Sequence, residues 1–300
     1  MNDTTGPDNS GKEELEIFDA VRDLGSADNP VQPTRLNSED SFCFSCHKGI
    51  SCWNKCCTGA DITLTPNDIL RLCKHLDMSP TDFLREYTVP AFWEQAGLPI
   101  AKIKMSGADG KGPCPFVADE GCTVYENRPV TCRYYPLGLA SVKPKGADVK
   151  EDFNFLVKEA HCKGHEESKE LSVSAFKSEQ GIEEYDLVNR GWIDILMKMA
   201  SWKHLGGPNG KDVSPQTKQM FFMVSTDVDT LRKFVLETKF LESYEIDPEA
   251  VEIIKADDHA LLQLGFDWMK NVMFNEPTIS LKEEVLRSAM AKAREELGAT

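Results

Sequence analysis

The residues best placed to do chemistry are cysteines, ten of them in 300 residues, all between positions 43 and 162. The first group reads CFSCHKGISCWNKCCTG and puts thiols at Cys43, Cys46, Cys52, Cys56 and Cys57. The second reads GPCPFVADEGCTVYENRPVTCRYYPLG and puts them at Cys114, Cys122 and Cys132, and Cys162 follows in HCKGH. Thiolates are soft ligands. At short intervals in loops rich in Gly and Pro they can converge on zinc or on an iron–sulfur cluster, because such loops bend freely. This density of thiols points to metal ligation without choosing the metal. Adjacent Cys56 and Cys57 carry a geometric expectation of their own. Neighbouring side chains point to opposite faces of a strand, or about 100° apart on a helix, so two consecutive thiolates should not readily serve one tetrahedral ion. One ligand for each of two nearby sites, or one ligand and one packed thiol, is expected, and eight ligands complete two four-thiolate sites.

The side chains around the thiols divide into candidates and bystanders. Cys73 lies among Ile69, Leu70 and Leu72 and reads as a small buried hydrophobe. His161 and His165 flank Cys162; one could be a ligand or a donor to a cluster sulfur, but since thiols alone can fill the sites an exposed or satisfied imidazole is the expectation. Arg128 and Arg133 sit beside Cys132, either to offset thiolate charge or in an ordinary surface ion pair. Sharper enzymatic motifs are missing. A radical S-adenosylmethionine pattern started at Cys52 and Cys56 needs its third thiol at position 59, which is Gly59. Gly107, Gly110 and Gly112 run straight into Pro113 instead of opening a helix after a strand, so they do not read as a nucleotide fingerprint. No phosphate-binding loop or nucleophile elbow occurs either.

The elements that must position these thiols can be read from local signals. In LTPNDILRLCKHLDMSPTDFLREYTVP, Thr65 and Ser79 each precede a proline and then acids, which predicts two short consecutive helices. Asp61 to Leu64 and Ile100 to Met105 alternate as short strands. Further on, Trp192, Ile195, Leu196, Met199 and Trp202 recur at helical spacing, as do Leu231, Phe234 and Val235, and then Val251, Ile254, Leu261, Leu264 and Trp268. These stripes are expected to be packing faces. The fold class expected is mainly α, α+β at most. A loop-rich cysteine module, with short helices and few short strands, should pack on a helical C-terminal half.

Charge supports the same partition. The chain carries a formal −15, yet residues 41–165 hold 14 acids and 15 bases, so the acidity lies in the flanks. Residues 1–40 read as an acidic, largely disordered tail, 41–165 as the metal-binding domain and 166–300 as a helical domain without cysteine. A chain this acidic is a poor match to nucleic acid or to an anionic membrane surface. The first twenty residues show no secretory pattern and no window is long and apolar enough to span a bilayer, so a cytoplasmic protein with reduced thiols is expected. There, a cysteine cluster is metal-binding or catalytic more often than a disulfide framework.

The run SCHKGISCWNKCC, then LTPNDILRL, then GPCPFVADEGCTVYENRPVTCRYYPLG, then a late cysteine in HCKG resembles the CxxCxxCC cysteine-cluster family over roughly residues 42 to 165. Members of this YkgJ-like family are described as zinc- or iron-chelating, and flagellin lysine N-methylases share the module. By position, the resemblance implies Cys46, Cys52, Cys56, Cys57, Cys114, Cys122, Cys132 and Cys162 as the metal ligands. Cys43 and Cys73 fall outside the pattern, though Cys43 makes a C-x2-C with Cys46 and could replace one of the eight. Five residues separate Cys46 from Cys52 and three precede the pair, a departure from the spacing of the family's name. Two functions from different classes follow. In one, eight cysteines hold one or two iron–sulfur clusters, [4Fe–4S] foremost, for redox chemistry or, like the methylases, for modifying a protein. In the other, structural zinc folds a surface for a protein partner, without catalysis.

Overall fold

A computed structural model of the chain describes residues 35–142, 151–204 and 212–296. The first 34 residues, and with them nearly all of the expected acidic tail, lie outside the described residues. Among the described residues the fold is mainly α: eleven helices, with five small sheets of two or three strands. No helix among them is long and apolar enough to cross a membrane. The chain divides into two compact units, one of residues 1–58, 118–121 and 132–182, the other of residues 59–117, 122–131 and 183–300. The cysteine-bearing stretch contributes to both.

The second unit begins where the sequence signals are strongest. Thr65 caps the helix Pro66–Leu76 through a reciprocal pair: its hydroxyl accepts from the Asp68 N–H at 3.2 Å, and the Asp68 carboxylate accepts from the Thr65 N–H at 2.9 Å. Ser79 caps Pro80–Tyr87 in the same way, accepting from the Asp82 N–H at 3.1 Å. The two expected strands form and pair with each other, Thr63 opposite Lys102 and Leu64 opposite Ala101. A third strand, Thr88–Trp93, lies along the other side of Leu98–Ile103 and was not legible, because Pro90 interrupts its pattern. Its place at the edge of the sheet explains the tolerance, since an edge strand can spare an N–H. Leu64, Ile69, Leu72, Phe83, Ala101 and Ile103 close one apolar cluster in this unit, and Cys73 is buried within it at 4% exposure.

The helical stripes of the C-terminal half form a second cluster in the same unit. Trp192, Ile195, Leu196, Met199, Leu231, Val235, Ile254, Leu261 and Trp268 are all buried there, with Trp202, Phe234 and Leu264 packed at its edge. Each such side chain is worth about 1.5–3 kcal/mol when fully buried, which is why the periodicity could be read. The polar end of Trp192 is satisfied, its indole N–H donating to Ser225 at 3.0 Å.

The first unit is built on a smaller cluster of Leu36, Phe42, Phe44, Leu137, Leu156, Val173, Phe176 and Ile182. The strand Ser41–Cys43 pairs antiparallel with Glu170–Ser172, and Leu137–Val142 pairs antiparallel with Glu151–Leu156. Ser172 then caps the helix Val173–Gln180, accepting from the Ala175 N–H at 3.1 Å. Phe42 and Phe44 each set an edge against Phe176, at 5.5 and 6.2 Å between ring centroids.

Candidate metal centre

In the first unit, residues 50–58 wind through successive tight turns: Trp53 N–H to Ile50 carbonyl at 2.9 Å, Lys55 to Cys52 at 3.0 Å and Cys57 to Asn54 at 3.0 Å. The turns tighten into a single 3-10 turn, Lys55–Cys57, because Asn54 adopts the left-handed conformation at φ 64°. Asparagine tolerates that region, and its side-chain amide donates to the Ala118 carbonyl at 2.8 Å. The result overturns the expectation for the adjacent pair. Cys56 and Cys57 do not diverge; their sulfurs stand 4.0 Å apart. A tetrahedral ion with metal–sulfur bonds of about 2.3 Å has sulfur–sulfur edges of about 3.8 Å, so one ion can accept both thiolates.

Three further thiols of this unit share the neighbourhood. Cys52 is buried at 8% exposure, and its sulfur accepts from the backbone N–H of Lys163 at 3.2 Å, one residue beyond Cys162. Cys162 sits in a turn closed by its own N–H on the Glu159 carbonyl at 2.9 Å. The turn is anchored on the loop before Cys46, where the Ser45 N–H donates to the Gly164 carbonyl at 3.0 Å. Glycine is required at 164, since a β-carbon there would lie 2.6 Å from the Phe44 ring. The protein packed around Cys46 and then the charges of Cys56, Cys52 and Cys162 push its thiol up to about 11. Cys56 moves the other way, down to about 7, chiefly because Cys57 hydrogen-bonds to it. A thiolate is therefore available at neutral pH at the exposed Cys56, and Cys56, Cys52 and Cys162 all act on Cys46.

Buried polar atoms beside this group lack well-placed partners. The Trp53 indole nitrogen, the Tyr135 hydroxyl and Nδ1 of His165 are closed to solvent and make no hydrogen bond of good geometry. The other ring nitrogen of His165 donates to the Val157 carbonyl at 3.1 Å, since a carbonyl only accepts, and burial holds this histidine below its usual range. Burial first, and then Cys162 and Glu159, hold the Tyr135 hydroxyl above the ordinary tyrosine range, so it keeps its proton. Sequence reasoning passed over Tyr135, although it stands in the quoted CRYYP run; nothing in its residue type marks it until its burial is known.

The remaining expected ligands are placed as follows. Cys57 is half-buried on the 3-10 turn, and Cys132 is exposed in the short helix Val130–Tyr134. In the second unit, Cys114 and Cys122 are half-buried against the apolar cluster, at either end of a loop that Thr123 closes by donating twice to the Phe116 carbonyl, at 2.8 and 3.0 Å. Burial raises Cys114, and the charge of Cys122 adds to the rise. Cys43 is exposed at the end of its strand, opposite Glu170. Cys73 is held up at about 12 by burial and by Asp229 and Asp227, as an inert packed thiol would be. Arg128 and Arg133 are both buried, and each donates to a backbone carbonyl, of Tyr125 at 2.6 Å and Gln180 at 2.7 Å. His161 is exposed 3.6 Å from Glu159, and His47 3.5 Å from Glu167.

Among the described residues no three His, Cys, Asp or Glu side chains are drawn close enough together to hold a metal ion as they stand. The donor chemistry nonetheless fits one. Cys46, Cys52, Cys56 and Cys162 are thiols only, one already accepts a backbone N–H, and buried polar groups without a well-placed partner lie beside them. None of the ten cysteines is in a disulfide. No curated protein and no solved structure matches the chain. Residues 45–163, which include all eight expected ligands, match the model of the CxxCxxCC family, described as "Putative zinc- or iron-chelating domain".

Proposed function

We propose that residues 45–163 ligate iron–sulfur through cysteine thiolates, one or two clusters in all, and that the chain uses them in a redox or protein-modifying reaction. The observation that carries this is the gathering of Cys46, Cys52, Cys56 and Cys162 in one unit, where the last three act on the Cys46 thiol. When bound, a cluster supplies reversible one-electron chemistry. The chain's own residues do the rest. The Cys56 thiolate offers the first anchor, the Lys163 N–H offsets charge on the Cys52 sulfur, and the left-handed Asn54 fixes the direction of the Cys56–Cys57 pair. The count of eight thiols provides for two four-thiolate centres. Reduced cysteines of this number suit a cytoplasmic setting, with a protein as partner or substrate.

A structural zinc site that presents a protein-binding surface is the second reading, and the 4.0 Å separation of Cys56 and Cys57 favours it. That distance matches the edge of a single-ion tetrahedron, whereas ligands of a four-iron cluster bind separate irons and stand further apart. Anaerobic purification followed by visible spectroscopy, acid-labile sulfide and metal analysis separates the two. A brown protein with sulfide supports the cluster; a colourless, zinc-loaded one without sulfide overturns it in favour of zinc. Cys56→Ser and Cys132→Ser are expected to lose metal in either case. The methylase-like role fails if the reconstituted protein neither binds S-adenosylmethionine nor labels lysine in a candidate protein.

A further inference from the structure

Tyr135 carries a buried hydroxyl that is not well paired as it stands. Its ring is wedged against Phe44, with centroids 6.0 Å apart, and faces the His165 ring at 6.5 Å. Its oxygen is closed to solvent and makes no hydrogen bond of good geometry, although the Cys162 sulfur and the Glu159 carboxylate are within its reach. Leaving a buried hydroxyl unpaired costs about 1–3 kcal/mol. Two threonine hydroxyls of this chain avoid that cost, Thr226 donating to Phe222 at 2.6 Å and Thr88 to Leu84 at 2.7 Å. The groups that act on the Tyr135 hydroxyl are Cys162 and Glu159, and Tyr135 and Cys162 pack on the same apolar cluster.

We propose that Tyr135 is a positioning residue for the metal centre, its O–H donating to the Cys162 sulfur when that sulfur is a metal-bound thiolate. The inference rests on the thiolate ligation argued above and adds a residue outside the cysteine set. A neutral thiol is a weak acceptor, whereas a thiolate accepts a charge-assisted bond. The same device is already formed at Cys52, whose sulfur takes the Lys163 N–H at 3.2 Å. Such outer partners hold a ligand's direction and offset its charge, and losing one typically costs 10–100-fold in metal affinity. Phe44 and His165 fix the ring, so the donor is held in place before metal arrives.

The test is Tyr135→Phe in the full chain, which removes one oxygen and keeps the packing. Zinc and cobalt(II) affinities are measured by competition with a chromophoric chelator, together with the sulfur-to-cobalt charge-transfer band and the urea midpoint of metal-free protein. The expected result is 10–100-fold weaker binding at unchanged stoichiometry, a shifted band, and metal-free stability equal to or above wild type, because an unpaired hydroxyl has gone. If a reconstituted iron–sulfur cluster loads instead, its midpoint potential should fall, since a donor to sulfur favours the reduced, more negative state. In a Glu159→Gln background the same loss should persist. Unchanged affinity and potential overturn the proposal. So does a loss matched by lower metal-free stability, which marks a structural role, or a loss that vanishes with Glu159→Gln, which assigns the hydroxyl to the carboxylate. Wild-type protein that binds neither metal nor cluster overturns the ligation reading itself, and this inference with it.

Discussion

Cys56 and Cys46 are both exposed, so access alone does not distinguish their reactivity, but their acidities do: about 7 for Cys56 and about 11 for Cys46. At pH 7 about half of Cys56 is thiolate, against roughly one part in ten thousand of Cys46. The more acidic thiolate is intrinsically less nucleophilic, with a Brønsted slope of about 0.4–0.5, which takes back about two of those nearly four decades. Limiting iodoacetamide at pH 7 on metal-free protein should therefore label Cys56 about fifty- to a hundredfold faster than Cys46, read by mass spectrometry of the two peptides. The rate at Cys56 should rise with pH through about 7 and then level off. Cys57→Ala removes the hydrogen bond that lowers Cys56. Its pKa should return towards 9.0, and labelling at pH 7 should slow about fivefold once the gain in nucleophilicity is counted. Equal rates at Cys46 and Cys56, or a Cys57→Ala profile that still levels off near pH 7, would refute the arrangement of this turn.

Other substitutions test the scaffold. Cys73→Ala should keep full metal content and cost about 1 kcal/mol in urea unfolding, the loss of one buried atom from an apolar cluster; a lost metal equivalent would put Cys73 among the ligands. Asn54→Ala should destabilise the Lys55–Cys57 turn by about 1–2 kcal/mol and weaken metal binding, while Asn54→Gly keeps the turn and loses only the bond to Ala118, a difference visible in chelator competition. Gly138→Ala places a β-carbon 2.2 Å from its cross-strand partner Phe155 and should cost about 1–3 kcal/mol, largely recovered by adding Phe155→Ala. Burial alone would raise Asp258, but Lys74 at 2.8 Å and Arg232 hold it below its ordinary 3.8. Its contribution is present above pH 3.8 and lost as pH falls through the lower folded value. Asp258→Asn should therefore lower the stability at pH 7, and progressively less in acid, read by urea unfolding across pH.

Legibility followed how local each cause is. Thr65-Pro66 and Ser79-Pro80 set their helices through bonds three residues apart, so the caps were visible as residue types. The stripes at Trp192 to Met199 and Leu261 to Trp268 were visible because one helix face repeats. Thr88–Trp93 was not, since a strand containing proline is stable only at an edge and the edge is a property of the sheet. The hairpin of Leu137–Val142 with Glu151–Leu156 was missed for a related reason: Gly138 leaves room for the ring of Phe155, a fit that exists only once the two strands are in register.

At the site, residue chemistry and tertiary placement divide in the same way. Ten cysteines, their clustering between positions 43 and 162, and the near-neutral middle of an acidic chain are written in the sequence, and they determine that soft-metal chemistry is available. Which thiols influence one another is not written there. Lys163 reaches the sulfur of Cys52 across 111 positions, and Cys46 feels Cys162 through a shared surround, contacts that loop closure alone creates. The Cys56–Cys57 pair makes the point most sharply. Their adjacency is a sequence fact, but whether adjacent sulfurs diverge or converge depends on backbone angles, and the left-handed Asn54 with its bond to Ala118 makes them converge. Tyr135 stands at the far end of the same scale. A tyrosine in a sequence is only a ring and a hydroxyl; burial within reach of Cys162 is what gives that hydroxyl a task.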